Sequence, residues 1–338
     1  MSRVGIKDIA AEAGVSTATV SHALRNSGRV SELTRKKVLA AAQKAGYTPN
    51  RLAANLRTSR SGNIVVIIPD VADSFNGQII TGIEQVARSK GYSVLLGNTG
   101  GSPNREREFA EMTRSRQADG IILMSHRMPF DVSGGIDGLP PLVNGCENTD
   151  VAGIPRVAVR DRRAARDATR HLLEYGHEKI AVVTGDMESA SSRARLDGFR
   201  TGMRDAGIDV NEDWVIHGNY QPEDGERAAR RLMSLRSRPT AVFCFSDEMA
   251  MGCMHALREL GFDVPHDVSV MGFDGVPLSR YTAPPLTTIA QPAEEIGAAC
   301  ARILLGLIEG EKPDCLETFL PHELVVRGST APLKRDRV

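Results

Sequence analysis

Residues 6–24 constrain this chain more than any other stretch: Ile-Lys-Asp-Ile-Ala-Ala-Glu-Ala-Gly-Val-Ser-Thr-Ala-Thr-Val-Ser-His-Ala-Leu reads as two short helices folded back on each other. Ile6, Ile9, Ala10 and Ala13 recur at helical spacing and give one apolar face. Gly14 falls where the first helix must stop and the chain reverse, and glycine enters the left-handed backbone at little cost. Val15 plugs the corner, and the Ser16 hydroxyl is placed to cap the second helix. Val20 and Leu24 then face back onto Ile6 and Ile9. Thr17, Ala18, Ser21 and His22 are left pointing outward at the start of the second helix. In a helix-turn-helix that part enters the major groove of DNA.

Charge supports this reading. The chain has 42 basic and 42 acidic residues. Residues 1–60 hold eleven Lys or Arg against Asp8, Glu12 and Glu32, a net of +8, which leaves 31 basic and 39 acidic residues and a net of −8 in the rest. A basic head on an acidic body fits a nucleic-acid binder with a separate second task.

Ser31 is placed to cap a third helix over 32–45, with Val38, Leu39 and Ala42 as its inner face. Pro49 ends that helix. Residues 53–57 make less than two helical turns, which water alone does not support. Residues 58–63, Thr-Ser-Arg-Ser-Gly-Asn, are a polar linker.

Residues 3–60 resemble the DNA-binding headpiece of the lactose and galactose repressor family. The matching motifs are Lys7-Asp8-Ile9-Ala10, Ala13-Gly14-Val15-Ser16, Thr19-Val20-Ser21, Val30-Ser31 with Thr34-Arg35, Gly46-Tyr47 with Pro49-Asn50, and Ala53 with Leu56-Arg57. The resemblance implies base reading by Thr17, Ala18 and His22, and DNA contacts from Asn50, Ala53, Leu56 and Arg57 in a hinge helix. Leu56 would enter the minor groove at the centre of a palindrome, where an apolar wedge unstacks a base step and kinks the duplex. The family commonly carries Arg where this chain has His22, which offers a guanine edge one donor instead of two.

From Asn63 to about Pro332 strands and helices alternate. Ile64 to Ile68 is a continuous apolar run, hence a buried parallel strand. Strands are expected at 93–96, 120–124, 157–159, 180–184, 241–245 and 269–272. Helices are expected at 79–89, 106–116, 162–174, 192–206, 223–235 and 248–260. Two successive series of this kind predict an α/β core of two doubly wound parallel-sheet lobes. Ligands of such folds sit at the carboxyl ends of strands, where this chain places Asp70, Asn98, Ser125, Asp186, Ser246, Asp247 and Asp274. Asp247 opens a helix and reads first as its cap. Asp274 ends a buried strand beside two glycines and reads as a ligand contact.

The body also resembles the family's effector core, which is similar to periplasmic sugar-binding proteins. The motifs are Ile68-Pro69-Asp70, Tyr175-Gly176-His177, Arg195 with Gly198-Phe199, Phe245-Ser246-Asp247, Gly272-Phe273-Asp274 and 284–289. Met128-Pro129-Phe130-Asp131, 285–292 and 326–330 place it nearest to cytidine-repressor-like members. The resemblance implies that Arg195 and Asp274 clamp vicinal hydroxyls and that Phe75 and Tyr220 stack on a ring. Asn76, Ser191 and Asp247 complete the candidate effector set. Ser74-Phe75-Asn76 and Ser189 depart from what such relatives carry.

The chain shows no dinucleotide, phosphate-loop, nucleophile-elbow or zinc-protease motif. Its five Cys are scattered and fit reduced thiols, and its His residues have no metal spacing. His177, at a helix end, reads as a partner of the helix dipole. No signal region and no long apolar run are seen, so a cytoplasmic chain without membrane contact is expected. The expected organisation is a headpiece (1–48), a hinge helix and linker (49–62), a core (63–332) and a tail (333–338). Lobe one takes about 63–159 and 292–319, and lobe two about 160–291 and 320–332. The reading is a homodimeric regulator, without cofactor or metal, that binds a DNA operator and is switched by a nucleoside or sugar. The alternative is an enzyme or carrier acting on such molecules, for which no nucleophile or acid–base pair is identified.

Overall fold

A computed structural model describes residues 5–24, 28–47 and 60–334. They fall into two units, one ending at Ser61 and one beginning at Gly62.

In the first unit α1 (Ile6–Ala13), α2 (Thr17–Leu24) and α3 (Glu32–Lys44) enclose Ile9, Ala10, Ala13, Val20, Ala23, Val38, Ala41 and Ala42. Gly14 stops α1 at φ 63°, and the Val15 amide reaches back to the Ala10 carbonyl at 3.0 Å. The Thr19 amide donates to Ser16 Oγ at 3.1 Å, and the Thr34 amide to Ser31 Oγ at 3.3 Å, so each hydroxyl caps the helix that follows it. Two side chains depart from expectation. Leu39 is 40% exposed, because the buried stripe of α3 runs through Val38, Ala41 and Ala42 and leaves Leu39 to one side. Ser21 is buried, because α2 contacts both α1 and α3 and its covered arc widens to Val20, Ser21 and Ala23. The hinge residues Asn50, Ala53, Leu56 and Arg57 lie outside the described residues.

The second unit opens with β1 (Asn63–Ile68), α4 (Ser74–Ser89), β2 (Ser93–Asn98), α5 (Pro103–Arg114), β3 (Ile121–Leu123), β4 (Leu142–Gly145) and β5 (Arg156–Val159). Then come α6 (Asp161–Glu174), β6 (Ile180–Thr184), α7 (Ala190–Asp205), β7 (Val215–His217), α8 (Pro222–Ser234), β8 (Ala241–Cys244), α9 (Asp247–Glu259) and β9 (Ser269–Asp274). β10 (Thr287–Ala290), α10 (Ala293–Glu309), β11 (Glu317–Leu320) and β12 (Glu323–Val325) complete it. One sheet has the order β11-β5-β4-β3-β1-β2 and the other β12-β10-β9-β8-β6-β7. All pairings are parallel except β10 with β12. The chain passes between sheets three times, at 159–161, 290–293 and 320–323. β1 is covered on both faces, which is why Ile64 to Ile68 all lie inside. His177 is not a dipole partner. It is buried, with Nδ1 3.0 Å from Thr240 Oγ1 and Nε2 3.0 Å from both Ser269 Oγ and the Ala331 carbonyl.

In the first lobe α4 and α10 lie against each other with backbones in near contact. A Cβ on Gly82 would stand 1.9 Å from the Glu294 carbonyl oxygen, and one on Gly297 2.0 Å from that of Ile79. Neither carbonyl can yield without moving its helix. Gly82→Ala is therefore expected to destabilise the core by about 1–3 kcal/mol. Urea unfolding followed by circular dichroism checks this. An unchanged midpoint would mean that the two helices are not held this closely.

Candidate functional site

The carboxyl ends of the two sheets face a cleft. Its larger space, about 390 Å³, is walled by Asp70, Asp73, Asn98, Glu106, Ser125, His126 and Arg127 on one side and by Asp186, Ser189, Asn219, Tyr220 and Gln221 on the other. A smaller space of about 100 Å³ shares Pro69, Asp73, Met124, Glu147 and Tyr220 with it. Phe75, Asn76, Ser191, Arg195, Tyr220 and Asp274, six of the seven candidate effector residues, all line this smaller space.

The seventh, Asp247, does not. It is fully buried, accepts from Thr288 Oγ1 at 2.6 Å and from the Val276 amide at 2.8 Å, and ties β10 to the turn that follows β9. Burial pushes its carboxyl up to about 7 against those two donors. Nor does it cap α9: Ser246 Oγ takes the Met249 amide at 3.1 Å.

Arg195 organises the smaller space. Its Nε donates to Asp161 Oδ1 at 2.9 Å and a terminal nitrogen to the Phe245 carbonyl at 2.6 Å. The guanidinium carbon lies 3.7 Å from the centre of the Phe273 ring, and Asp274 Oδ1 is 3.9 Å away. Burial opposes its charge, but Asp161, Tyr220 and Asp274 outweigh that and hold Arg195 above its ordinary value. Asp274 is pushed well above the usual carboxylate range by burial, with Arg195 only partly offsetting it. Gln291 Nε2 donates to Asp274 Oδ1 at 2.8 Å, and no protein donor among the described residues reaches Oδ2. The Asp274 backbone is also strained, at φ 112°. Cys146 at φ 62° and Tyr220 at φ 68° line the same space. Non-glycine residues held in this region mark sites whose geometry the surroundings enforce.

The cleft is bridged by polar contacts. Glu147, from the loop after β4, accepts from Ser189 Oγ at 2.7 Å and Ser191 Oγ at 2.6 Å at the start of α7. The Tyr220 hydroxyl sits 2.5 Å from Ser192 Oγ, and its ring lies so close over Gly185 that a Cβ there would fall 2.0 Å from it. Arg127 donates to Glu188 at 2.7 Å, and the Ser74 amide to Glu248 at 3.1 Å. Asn76 is turned inward, its side-chain amide on the Asp70 carbonyl at 2.9 Å.

Sequence reasoning missed Asp73, Glu147, Asp161 and Gln291. Glu147 follows the unrecognised four-residue strand β4, so nothing marked it as a strand end. Asp161 and Gln291 stand at two of the chain passages between sheets, and only pairing reveals those. Asp73 had a legible signal: an Asx residue before a helix, whose Oδ1 accepts from the Phe75 amide at 2.7 Å and the Asn76 amide at 3.1 Å. On α2 of the first unit, Thr17 and Ala18 are exposed and His22 is half-buried.

Burial raises the Asp73 carboxyl to about 6, against the two amides that stabilise its charge. The folded chain thus holds a proton there that the unfolded chain releases near pH 4. Its contribution to stability is full below about pH 4 and is lost as pH rises through about 6. Asn caps as well as Asp, so Asp73→Asn is expected to keep the helix start and to flatten the stability profile between those limits. Thermal unfolding at fixed ionic strength across this window checks it. Parallel profiles for parent and variant would contradict it.

Comparison with known proteins places this geometry. Residues 5–50 match the family described as bacterial regulatory proteins, lacI family, and residues 169–330 match a periplasmic binding protein-like domain. The HTH-type transcriptional repressor CytR of Escherichia coli (strain K12) is 39% identical over 329 residues, 97% of this chain and 96% of that one. The structure of the lac repressor dimer bound to operator and the anti-inducer ONPF superposes with a TM-score of 0.84 at 29% identity, covering 98% of this chain and all of that one. A LacI family regulator from Enterococcus faecium with bound ribose superposes at 0.72 with 29% identity, over 80% of this chain and 100% of its own. The chain belongs to the LacI family: it is a DNA-binding transcriptional repressor with a helix-turn-helix headpiece and a two-lobed periplasmic-binding-like core, and not an enzyme.

Proposed function

We propose that the chain binds a palindromic operator as a homodimer in the cytoplasm, and that a small neutral polyol-bearing effector in the cleft between the lobes controls that binding. A nucleoside is favoured over a free sugar. One observation carries the effector reading: acids outnumber bases in the lining of the cleft, where His126, Arg127 and Arg195 are the basic residues. Asp70, Asp73, Glu106, Glu147 and Asp186 line the larger space, where the buried Asn98 Oδ1 has no donor among the described residues, and Asp274 lines the smaller one. Such a lining takes a ligand rich in hydroxyl and amino donors and disfavours one carrying phosphate. Arg195 and Asp274 would hold vicinal hydroxyls, with Arg195 donating to their oxygens and Asp274 Oδ2 accepting. Phe75 and Tyr220 would cover a ring.

On the DNA side, the exposed Thr17 and Ala18 and the half-buried His22 start the recognition helix, while Ser21, buried, is better placed to support it than to read bases. His22→Ala is expected to relax preference at one base pair per half-site, at a loss of ~1–3 kcal/mol, with folding unchanged. Binding-site selection from a random DNA pool is the check. An identical selected motif for parent and variant would remove His22 as a reader.

For the cleft, a thermal-shift panel of nucleosides, nucleobases, pentoses and hexoses is the direct experiment. A ligand at a hundred times its dissociation constant stabilises by about 2.7 kcal/mol, a readable shift. Nucleosides are expected to stabilise the parent, and Asp274→Asn is expected to fold but lose that shift, since an amide nitrogen cannot accept from a hydroxyl. Stabilisation by a sugar-free nucleobase would sink the hydroxyl clamp. A hexose as the sole hit would sink the nucleoside preference.

A further inference from the structure

A second cavity, about 410 Å³, shares no lining residue with the cleft. Its walls come from two of the three chain passages between the sheets. Arg160, Arg163, Asp167 and Arg170 stand at the entry to α6 and along it, and Phe319 to His322 with Leu324 form the β11–β12 passage. Three guanidinium groups and His322 thus face one carboxylate. That carboxylate is already shared: Asp167 lies 2.9 Å from Arg170, 3.0 Å from His322 Nε2 and 3.9 Å from Arg163. Arg170 also has Glu174 at 3.7 Å.

Among the described residues the Arg160 guanidinium makes no hydrogen bond and no ion pair with an acid. Its guanidinium carbon is 4.3 Å from the centre of the Phe319 ring, and this contact holds the head group without using its N–H donors. A guanidinium pinned on an aromatic face loses little further freedom on binding, and its donor fork matches phosphate oxygens two at a time. The volume lies in the range of small-molecule sites. Three guanidinium groups stand against two carboxylates, Asp167 and Glu174, so the charge left for an occupant is positive, and Arg160 and Arg163 each present a donor fork to it, which suits an occupant with two anionic groups.

We propose that this cavity binds a small phosphorylated molecule carrying at least two negative charges. Phe319 belongs to the sheet of the first lobe, whereas Arg163 and Arg170 sit on a helix packed in the second. The occupant therefore ties the two lobes together at their passages and adds a second input to the same two-lobed core.

The test is calorimetric titration of the full chain with inorganic pyrophosphate at fixed ionic strength, with orthophosphate as the weaker comparator. Pyrophosphate is expected to bind once per chain and more tightly than orthophosphate. Arg160→Ala and, separately, Arg163→Glu are expected to weaken it by roughly tenfold or more. Both residues are exposed, so the unliganded melting temperature should be retained. Asp274→Asn should leave pyrophosphate binding unchanged. Absence of binding, equal affinity in parent and both variants, or loss of binding in Asp274→Asn would each overturn the proposal. The second of these would send the anion to the basic headpiece, and the third to the cleft.

Discussion

The buried guanidinium of Arg195 is the contact on which the effector cleft depends. Taking that charge out of water costs several kcal/mol unless geometry restores the lost hydration. Here the restoration comes from three places: Asp161 at the start of α6, the Phe245 carbonyl just past β8, and the ring of Phe273 in β9. One side chain on α7 thereby fixes the relative positions of four chain segments at the carboxyl end of the second sheet. Asp161 takes most of the compensation. Asp274, at 3.9 Å, receives less and is left as a strained carboxyl held well above its usual range by burial. That condition is the physical reason to propose an outside donor, and hence a ligand, at Asp274.

The second lobe is joined to the first by contacts of unequal weight. The pair Arg127–Glu188 is largely exposed on the Glu188 side, and such pairs contribute about 0–1 kcal/mol. The Glu147 bonds to Ser189 and Ser191 are better covered, and Glu147 and Ser191 line the smaller space of the cleft. A ligand shifts the arrangement of the lobes only through contacts that differ between arrangements. Glu147 and Asp73, which line both spaces of the cleft, are placed to make such contacts.

How much of this was legible depended on length and periodicity. β1 and β6 are continuous apolar runs buried on both faces, and they were read directly. The first nine helices fall within about five residues of the expected bounds because their apolar stripes repeat over many positions, whereas α10 and the strands β10 to β12 are not among the expected elements. β4 and β7, at four and three residues, carry no pattern above chance, and Glu147 was lost with β4. Phe75, Arg195 and Tyr220 are named through resemblance, and no periodicity finds them, whereas Asp274 is also legible as an acid that ends a buried strand beside two glycines. Asp161, which makes Arg195 tolerable, stands 34 residues from it in sequence, and only the paired sheets bring the two together. Asp247 shows the opposite failure. A strand-end acid looks the same in sequence whether it faces a ligand or, as here, ties one strand to the turn after its neighbour. Leu39 and Ser21 were misjudged because a three-helix unit buries arcs set by two neighbours at once, and a single helical wheel does not show that.

The central claim is that occupancy of the cleft and DNA binding are one linked equilibrium. The direct measurement is the affinity of the full chain for a DNA sequence selected from a random pool, with and without a saturating cleft ligand found by thermal shift. A change of roughly fivefold or more is expected, matched by an equal change in ligand affinity when DNA is saturating. A ligand that saturates the cleft while leaving DNA affinity unchanged would contradict it.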